Sequence, residues 1–177
     1  MKNGLLKKIL QTYVFNKYIG LKKLSNFFVI GIQHQFLKNS KIVGYPTRLV
    51  IDPINLCNLK CPLCPTGQGK TGQPKGRMKL SDFKKIIDEL GDYLYEIDLF
   101  NWGEPFLNNK IYEIINYAHQ KRIQVNISSN LSSFDKKNAK KLVESGLDNL
   151  IVSLDGASQE SLTKYRCGGD FEKIWRA

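Results

Sequence analysis

Apolar and polar positions along this chain follow two periods, and the periods alternate. "YPTRLVID" (45–52) alternates at period two behind a proline and reads as a strand. A long Gly/Pro/polar loop follows. "LSDFKKIIDEL" (80–90) has helical spacing, with Ser81 as the expected N-cap. Then come a strand, "EIDLFNW" (96–102), a helix, "NNKIYEIINYAHQ" (108–120), and a strand, "IQVNISSN" (123–130). "DKKNAKKLVESG" (135–146) is a helix ending at a glycine, "NLIVSLDG" (149–156) is a strand, and "SQESLTKYR" opens a fourth helix that runs to the end of the chain. Strand and helix thus alternate four times, which predicts βαβ units and a parallel sheet.

Residues 1–43 follow a different pattern. "LLKKILQTYVFNKYIGLKKL" sets Leu6, Ile9, Leu10, Tyr13 and Val14 on one side of a helix and lysines on the other. The division expected is a basic helical segment, 1–43, and an α/β unit, 44–177. The longest apolar run, "FFVIGI" at 27–32, is far below the ~18 to 20 residues of a membrane span. No apolar block with a small-residue cleavage site follows the basic start, so the expected setting is a reducing cytoplasm.

Charge sharpens this division. The net charge is +11, yet residues 1–51 hold nine basic residues and no acid, while the remainder holds 18 basic and 16 acidic residues. The excess belongs to the N-terminal segment. It can be a solvated basic face on an ancillary helix, or it can make a weak contact with an anionic membrane surface through residues 1–41. Nucleic-acid binding would rest on the basic arm alone, and no specific nucleic acid is expected.

The reactive residues cluster at one end of the α/β unit. Ligands of parallel sheets and barrels sit at the carboxyl ends of the strands. There the sequence places "CNLKCPLC" (57–64) after the first strand, "NWGEP" after the second, "SSN" after the third and "SLDG" after the fourth. Cys57, Cys61 and Cys64 are three of the four cysteines. Three thiolates so spaced suit an iron–sulfur cubane and leave one iron without a protein ligand. A zinc site is the alternative, with Cys167 as a candidate fourth ligand. His34 and His119 show no spacing relation to the cysteines.

These residues resemble the radical S-adenosylmethionine (radical SAM) superfamily. "CNLKCPLC" matches its C-x3-C-x2-C signature, and "IDPINLCNLKCPLCP" is similar to members with a C-terminal SPASM or twitch extension. "NWGEP" resembles the Gly-Glu-Pro motif, "SLDG" the fourth-strand motif, and "YRCGGDFEKIWRA" the segment after it. The resemblance implies an α/β fold, a partial (β/α) TIM-like barrel of parallel strands. With six βα units in the family, this chain is expected to be an N-terminal fragment cut after about four strands and inactive alone. It also implies a [4Fe–4S] cluster held by Cys57, Cys61 and Cys64. S-adenosylmethionine would chelate the open iron and be cleaved to a 5′-deoxyadenosyl radical that abstracts hydrogen from a peptide or small metabolite. An external flavodoxin- or ferredoxin-like donor would supply the electron.

By the same resemblance, Gly103, Glu104 and Pro105 meet the methionyl ammonium through backbone carbonyls, and Trp102 walls the pocket. Ser128 and Asn130 end the third strand as polar contacts. Ser153 and Asp155 lie near the ribose and methionyl tail, and Arg166 pairs with the carboxylate. Leu63 stands where the family often has an aromatic residue and would pack near the adenine without stacking. Cys167 stands where an aliphatic residue is usual and is not assigned to the cluster. The competing class is a non-catalytic iron–sulfur electron carrier or zinc-binding module.

Overall fold

The computed structural model describes residues 17–37, 42–70 and 72–176. The helix expected over the first twenty-odd residues falls largely outside this range. Four strands, β1 (Arg48–Val50), β2 (Glu96–Asp98), β3 (Gln124–Ser129) and β4 (Asn149–Val152), form one sheet in the order β1–β2–β3–β4. All three pairings are parallel, as expected from the alternation. The helices are α1 (Leu21–Ile32), α2 (Leu80–Leu90), α3 (Ile111–Gln120), α4 (Lys136–Glu144), α5 (Gln159–Thr163) and α6 (Phe171–Trp175).

The core lies between the helices and one face of the sheet. Phe83 and Ile87 of α2 and Ile111, Ile114, Ile115 and Ala118 of α3 repeat at three- and four-residue steps, and all are buried against Ile97, Val125 and Ile127. Burying each such side chain contributes about 1.5–3 kcal/mol. The opposite face carries a polar ladder. Arg48 Nε donates to Asp98 Oδ2 at 2.8 Å, Asn126 Nδ2 to Asp98 Oδ1 at 2.8 Å, and Asn149 Nδ2 to Asn126 Oδ1 at 2.8 Å. A one-residue slip of any strand would move these groups into the apolar layer, so the ladder fixes the register.

Several expected boundaries move. Each strand is shorter than its sequence pattern. The helix expected from 108 starts at Ile111, behind a 3-10 turn over Pro105–Leu107. Asn108, 1% exposed, explains the delay: its Nδ2 donates to Pro53 O and Met78 O, and its Oδ1 accepts from Lys110 N. Ser81 is not a cap. Lys79 is the N-cap of α2, without a side-chain bond, because Leu80 already packs on the core and pulls the helix start forward. The fourth helix is two short ones. Ser158 caps α5 with a reciprocal Ser161 contact, and the chain breaks at Gly168, φ +91°, before α6.

α1 crosses beneath the sheet, at the N-terminal ends of the strands. Lys22 Nζ pairs with Asp92 at 2.5 Å and Lys23 Nζ donates to Arg122 O at 2.5 Å. Asn26 brackets Tyr45, donating to its carbonyl and accepting from its N–H, and Tyr45 stacks on Tyr93 at 4.0 Å between centroids. Just before α1, Tyr18 Oη donates to Asp148 at 2.5 Å. These contacts fall on the residues that lead into each of the four strands.

Candidate active site

At the opposite end, the residues leaving the strands enclose a cavity of about 160 Å³. Its lining contains Cys57, Cys61 and Cys64 together with Trp102, Gly103, Glu104, Ser128, Asn130, Ser153 and Arg166, all picked out in the sequence. Three expected residues stand outside it. Leu63 is 79% exposed, Pro105 is buried in its 3-10 turn, and Asp155 faces Arg166. Five lining residues were not singled out: Leu59, Gly67, Phe100, Asn101 and Ser129.

The cavity is framed by close backbone contacts. The loop after β2 lies on the segment that leads into Cys57: Glu104 N donates to Leu56 O at 2.8 Å. A Cβ at Gly103 would stand 1.7 Å from Ile54 O, so only glycine fits this approach. Asp52 Oδ1 accepts Trp102 N at 2.9 Å and holds the same loop from its other side. Within the cysteine loop, Cys64 N donates to Cys61 O at 3.2 Å, and Lys60 N to Cys167 O at 2.9 Å. Cys167 thus clamps the loop through its carbonyl. Its thiol turns away and donates to Thr163 O at 3.4 Å.

Glu104 is 2% exposed and ends in a set of donors rather than in solvent. Oε1 accepts from Ser129 Oγ at 2.7 Å and from Phe106 N at 3.3 Å, and Oε2 accepts from Asn130 N at 2.9 Å. Burial raises its pKa, and the three donors only partly offset this. The carboxylate therefore ties the exits of β2 and β3 together. The side chain is thereby engaged within the protein, while Gly103 and Glu104 both belong to the cavity lining.

Donors are aimed at the sulfurs. Leu59 N lies 3.4 Å and Asn130 Nδ2 3.7 Å from Cys57 Sγ, and Arg166 Nη1 lies 4.0 Å from Cys61 Sγ. Burial raises the thiol pKa of both Cys57 and Cys61. The Leu59 N–H works against this at Cys57, and the Arg166 charge at Cys61. Arg166 Nε also donates to Asp155 Oδ2. Burial opposes the guanidinium charge, but the Asp155 bond and charge outweigh it, and the pKa is raised. Ser128 Oγ and Ser153 Oγ share a 3.0 Å hydrogen bond across β3 and β4.

All four cysteines are free thiols. Among the described residues, no three His, Cys, Asp or Glu side chains gather as ligands of one metal ion. The three cysteines of the loop instead spread around a shared cavity, with amide and guanidinium donors behind two of them. That donor set fits a cluster, whose irons take one thiolate each, better than a mononuclear zinc, which draws its ligands to one point.

The sequence pattern of the radical SAM superfamily matches residues 51–177. The chain belongs to that superfamily. The superfamily uses a [4Fe–4S] cluster and S-adenosylmethionine. Among similar proteins, Fe-coproporphyrin III synthase of Methanosarcina barkeri (strain Fusaro / DSM 804) is 35% identical over 132 residues, 75% of this chain and 31% of that protein. Mycofactocin maturase MftC of Mycolicibacterium smegmatis (strain ATCC 700084 / mc(2)155) is 31% identical over 121 residues, 68% of this chain and 30% of its own length. The chain spans about a third of the length of these relatives. Streptococcus suis SuiB shares the fold. Its structure bound to S-adenosylmethionine superposes with TM-score 0.61 and 17% identity, over 93% of this chain and 38% of that one. A second structure holds precursor peptide SuiA, with TM-score 0.60 and 20% identity over 70% and 28%.

Proposed function

We propose that this chain forms the cofactor-binding part of a radical SAM enzyme that abstracts hydrogen from a peptide or small metabolite. The observation that carries the reading is the convergence of three free thiols, Gly103, Glu104, Asn130, Ser153 and Arg166 on one cavity at the strand exits. Cys57, Cys61 and Cys64 would hold the cluster. When bound, the cluster supplies the electron that cleaves S-adenosylmethionine to a 5′-deoxyadenosyl radical.

The chain's own residues have separate tasks. Asn130 and Arg166 donate toward sulfur and favour the thiolate form of the ligands. Gly103 lets the main chain approach the cavity, where carbonyls of residues 103–105 would accept from the methionyl ammonium. Arg166, held ionised by Asp155, would meet the methionyl carboxylate. Ser128 and Ser153 would face the ribose side, Trp102 would shield the cavity from water, and the exposed Leu63 would cover the adenine edge. A flavodoxin- or ferredoxin-like protein would reduce the cluster, and the setting would be the cytoplasm. SuiB, crystallised with a precursor peptide, and a relative named for an iron porphyrin bracket the substrate classes.

The test is anaerobic reconstitution of the full protein with iron and sulfide. Its electron paramagnetic resonance spectrum is recorded with and without S-adenosylmethionine, and 5′-deoxyadenosine is measured after dithionite reduction. A cluster signal that shifts with S-adenosylmethionine, together with 5′-deoxyadenosine, is expected. A cluster blind to S-adenosylmethionine would make the protein an electron carrier, and a colourless protein with one zinc would make it a binding module.

A further inference from the structure

A second cavity, of about 650 Å³, opens beside the cysteine cavity. Trp102 lines both, and the loop after β1 divides them: Cys64 and Gly67 line the first, Pro65 the second. The second cavity is framed where that loop returns to the exit of β1. Asn55 Nδ2 donates to Pro74 O at 2.8 Å, Asn55 Oδ1 accepts from Gly76 N at 2.7 Å, and Met78 N donates to Pro53 O at 2.9 Å. Ile54 and Arg77 pair as an antiparallel bridge. The walls are apolar: Ile54, Pro65, Pro74, Met78 and Trp102. Two cations, Lys70 and Arg77, join them in the lining. The described residues include every Asp and Glu of the chain, and none of these carboxylates forms an ion pair with either cation. Asp52, the acid in the lining, is already engaged: Oδ1 accepts from Trp102 N at 2.9 Å and Oδ2 from Asn101 Nδ2 at 3.5 Å.

We propose that this cavity is the substrate site and that it takes an apolar carboxylate, an inference that rests on the function proposed above. Charge and lining select the ligand. Residues 53–79 hold five basic residues and no acid, so the local field favours an anion. Two cations and one acid leave the lining with a net charge of +1, which matches a carboxylate rather than a phosphate dianion. The planar fork of Arg77 can take both carboxylate oxygens, and Lys70 adds a second positive charge. The apolar body of the ligand would lie along Ile54, Met78 and Trp102 and reach past Trp102 to the cysteine cavity. The carboxylate would thus fix, from a distance, the carbon that faces the cofactor, because binding energy from a remote group orients the reacting one.

The test uses the full protein, reconstituted with its cluster, in anaerobic equilibrium dialysis against 2-naphthoate, 2-naphthamide or 2-naphthyl phosphate. The three share one apolar body and differ in charge. Naphthoate should bind at least ~10-fold more tightly than the neutral amide. Lys70→Gln with Arg77→Gln should weaken naphthoate at least ~10-fold and leave the amide unchanged. Both side chains are exposed and make no ion pair, so iron content should stay as in wild type. Equal affinity for naphthoate and naphthamide overturns the proposal, as does a double variant that binds naphthoate like wild type. Tighter binding of the phosphate overturns the choice of a monoanion. The electron paramagnetic resonance shift with S-adenosylmethionine is recorded on the same samples. That shift without naphthoate binding overturns this site alone. Naphthoate binding without the shift supports the anion site and overturns its assignment to a substrate.

Discussion

The carboxylate of Glu104 accepts the main-chain N–H of Asn130 at 2.9 Å, joining the turn after β2 to the end of β3 beneath the cysteine cavity. Replacing Glu104 with Gln keeps the shape but puts an amide N–H₂ either against the Asn130 N–H or against the Ser129 hydroxyl and the Phe106 N–H. The hydroxyl can rotate to accept, but in either orientation a backbone N–H faces the amide and cannot. Glu104→Gln should therefore cost about 1–3 kcal/mol in urea unfolding, and Glu104→Ala more, since three buried donors lose their acceptor. The check is the denaturation midpoint read beside iron content. A Gln variant as stable as wild type would show that the tie is not a strong one.

The cysteines should separate cleanly in iron analysis after reconstitution. Cys57→Ala, Cys61→Ala and Cys64→Ala should each abolish iron uptake. Cys167→Ala should retain it, because the Cys167 group that bonds to the cysteine loop is its carbonyl, which alanine keeps, while its thiol bonds to Thr163 O. Equal iron loss from Cys167→Ala and Cys61→Ala would make Cys167 a fourth ligand and remove the open iron.

Two glycines should respond in opposite directions to alanine. Gly103→Ala places a methyl 1.7 Å from Ile54 O and should destabilise by about 3 kcal/mol or more while widening the cavity. Gly31, in the last turn of α1 where a π turn over Gln33–Leu37 continues the helix, has no atom within 4 Å of an added Cβ. Gly31→Ala should stabilise by about 0.5–1 kcal/mol through helix propensity. Thermal denaturation of the pair measures both.

Lys23 gives α1 a pH dependence. Burial pushes its pKa down to about 8 from an ordinary 10.5, with the Arg122 charge adding to the effect. Between these values the unfolded chain binds more protons than the folded one, so this residue's contribution makes stability rise as pH climbs from 8 to 10.5. Lys23→Met should flatten that rise. The difference in melting temperature between wild type and variant, followed across this range, is the measurement. Parallel curves would mean that Lys23 titrates normally in the folded protein.

The sheet and the position of its site were legible because two signals are strong: the change of period from strand to helix, and polar clusters after every strand. The cysteine spacing suited a cluster but left zinc open, and the family motifs at the other strand ends chose between them. What stayed hidden depends on which way a side chain faces. In "SSN", Ser128 and Ser129 look alike, yet strand alternation sends Ser128 to Ser153 and Ser129 to Glu104. Glu104 was expected to meet a ligand largely through its backbone carbonyl, and no sequence pattern shows the three donors that claim its carboxylate. α1 defeats pattern reading for another reason: the surface beneath it presents the Arg122 carbonyl and the N–H and C=O of Tyr45, which Lys23 and Asn26 meet. Those groups select lysine and asparagine over phenylalanine.

The strand order β1–β2–β3–β4 repeats the order of synthesis. Each new strand adds to the edge left by the one before, so no strand has to thread between two others, and the sheet can grow as the polypeptide emerges from the ribosome. The cysteine loop is made early, but the carbonyl that clamps Lys60 and the guanidinium beside Cys61 arrive only with residues 166 and 167. During translation the thiols are therefore open on one flank over roughly a hundred residues of further synthesis, a count set by their distance along the chain from Arg166. Any group that the three thiols hold would meet this flank open during that interval and guarded by Arg166 and Cys167 afterwards.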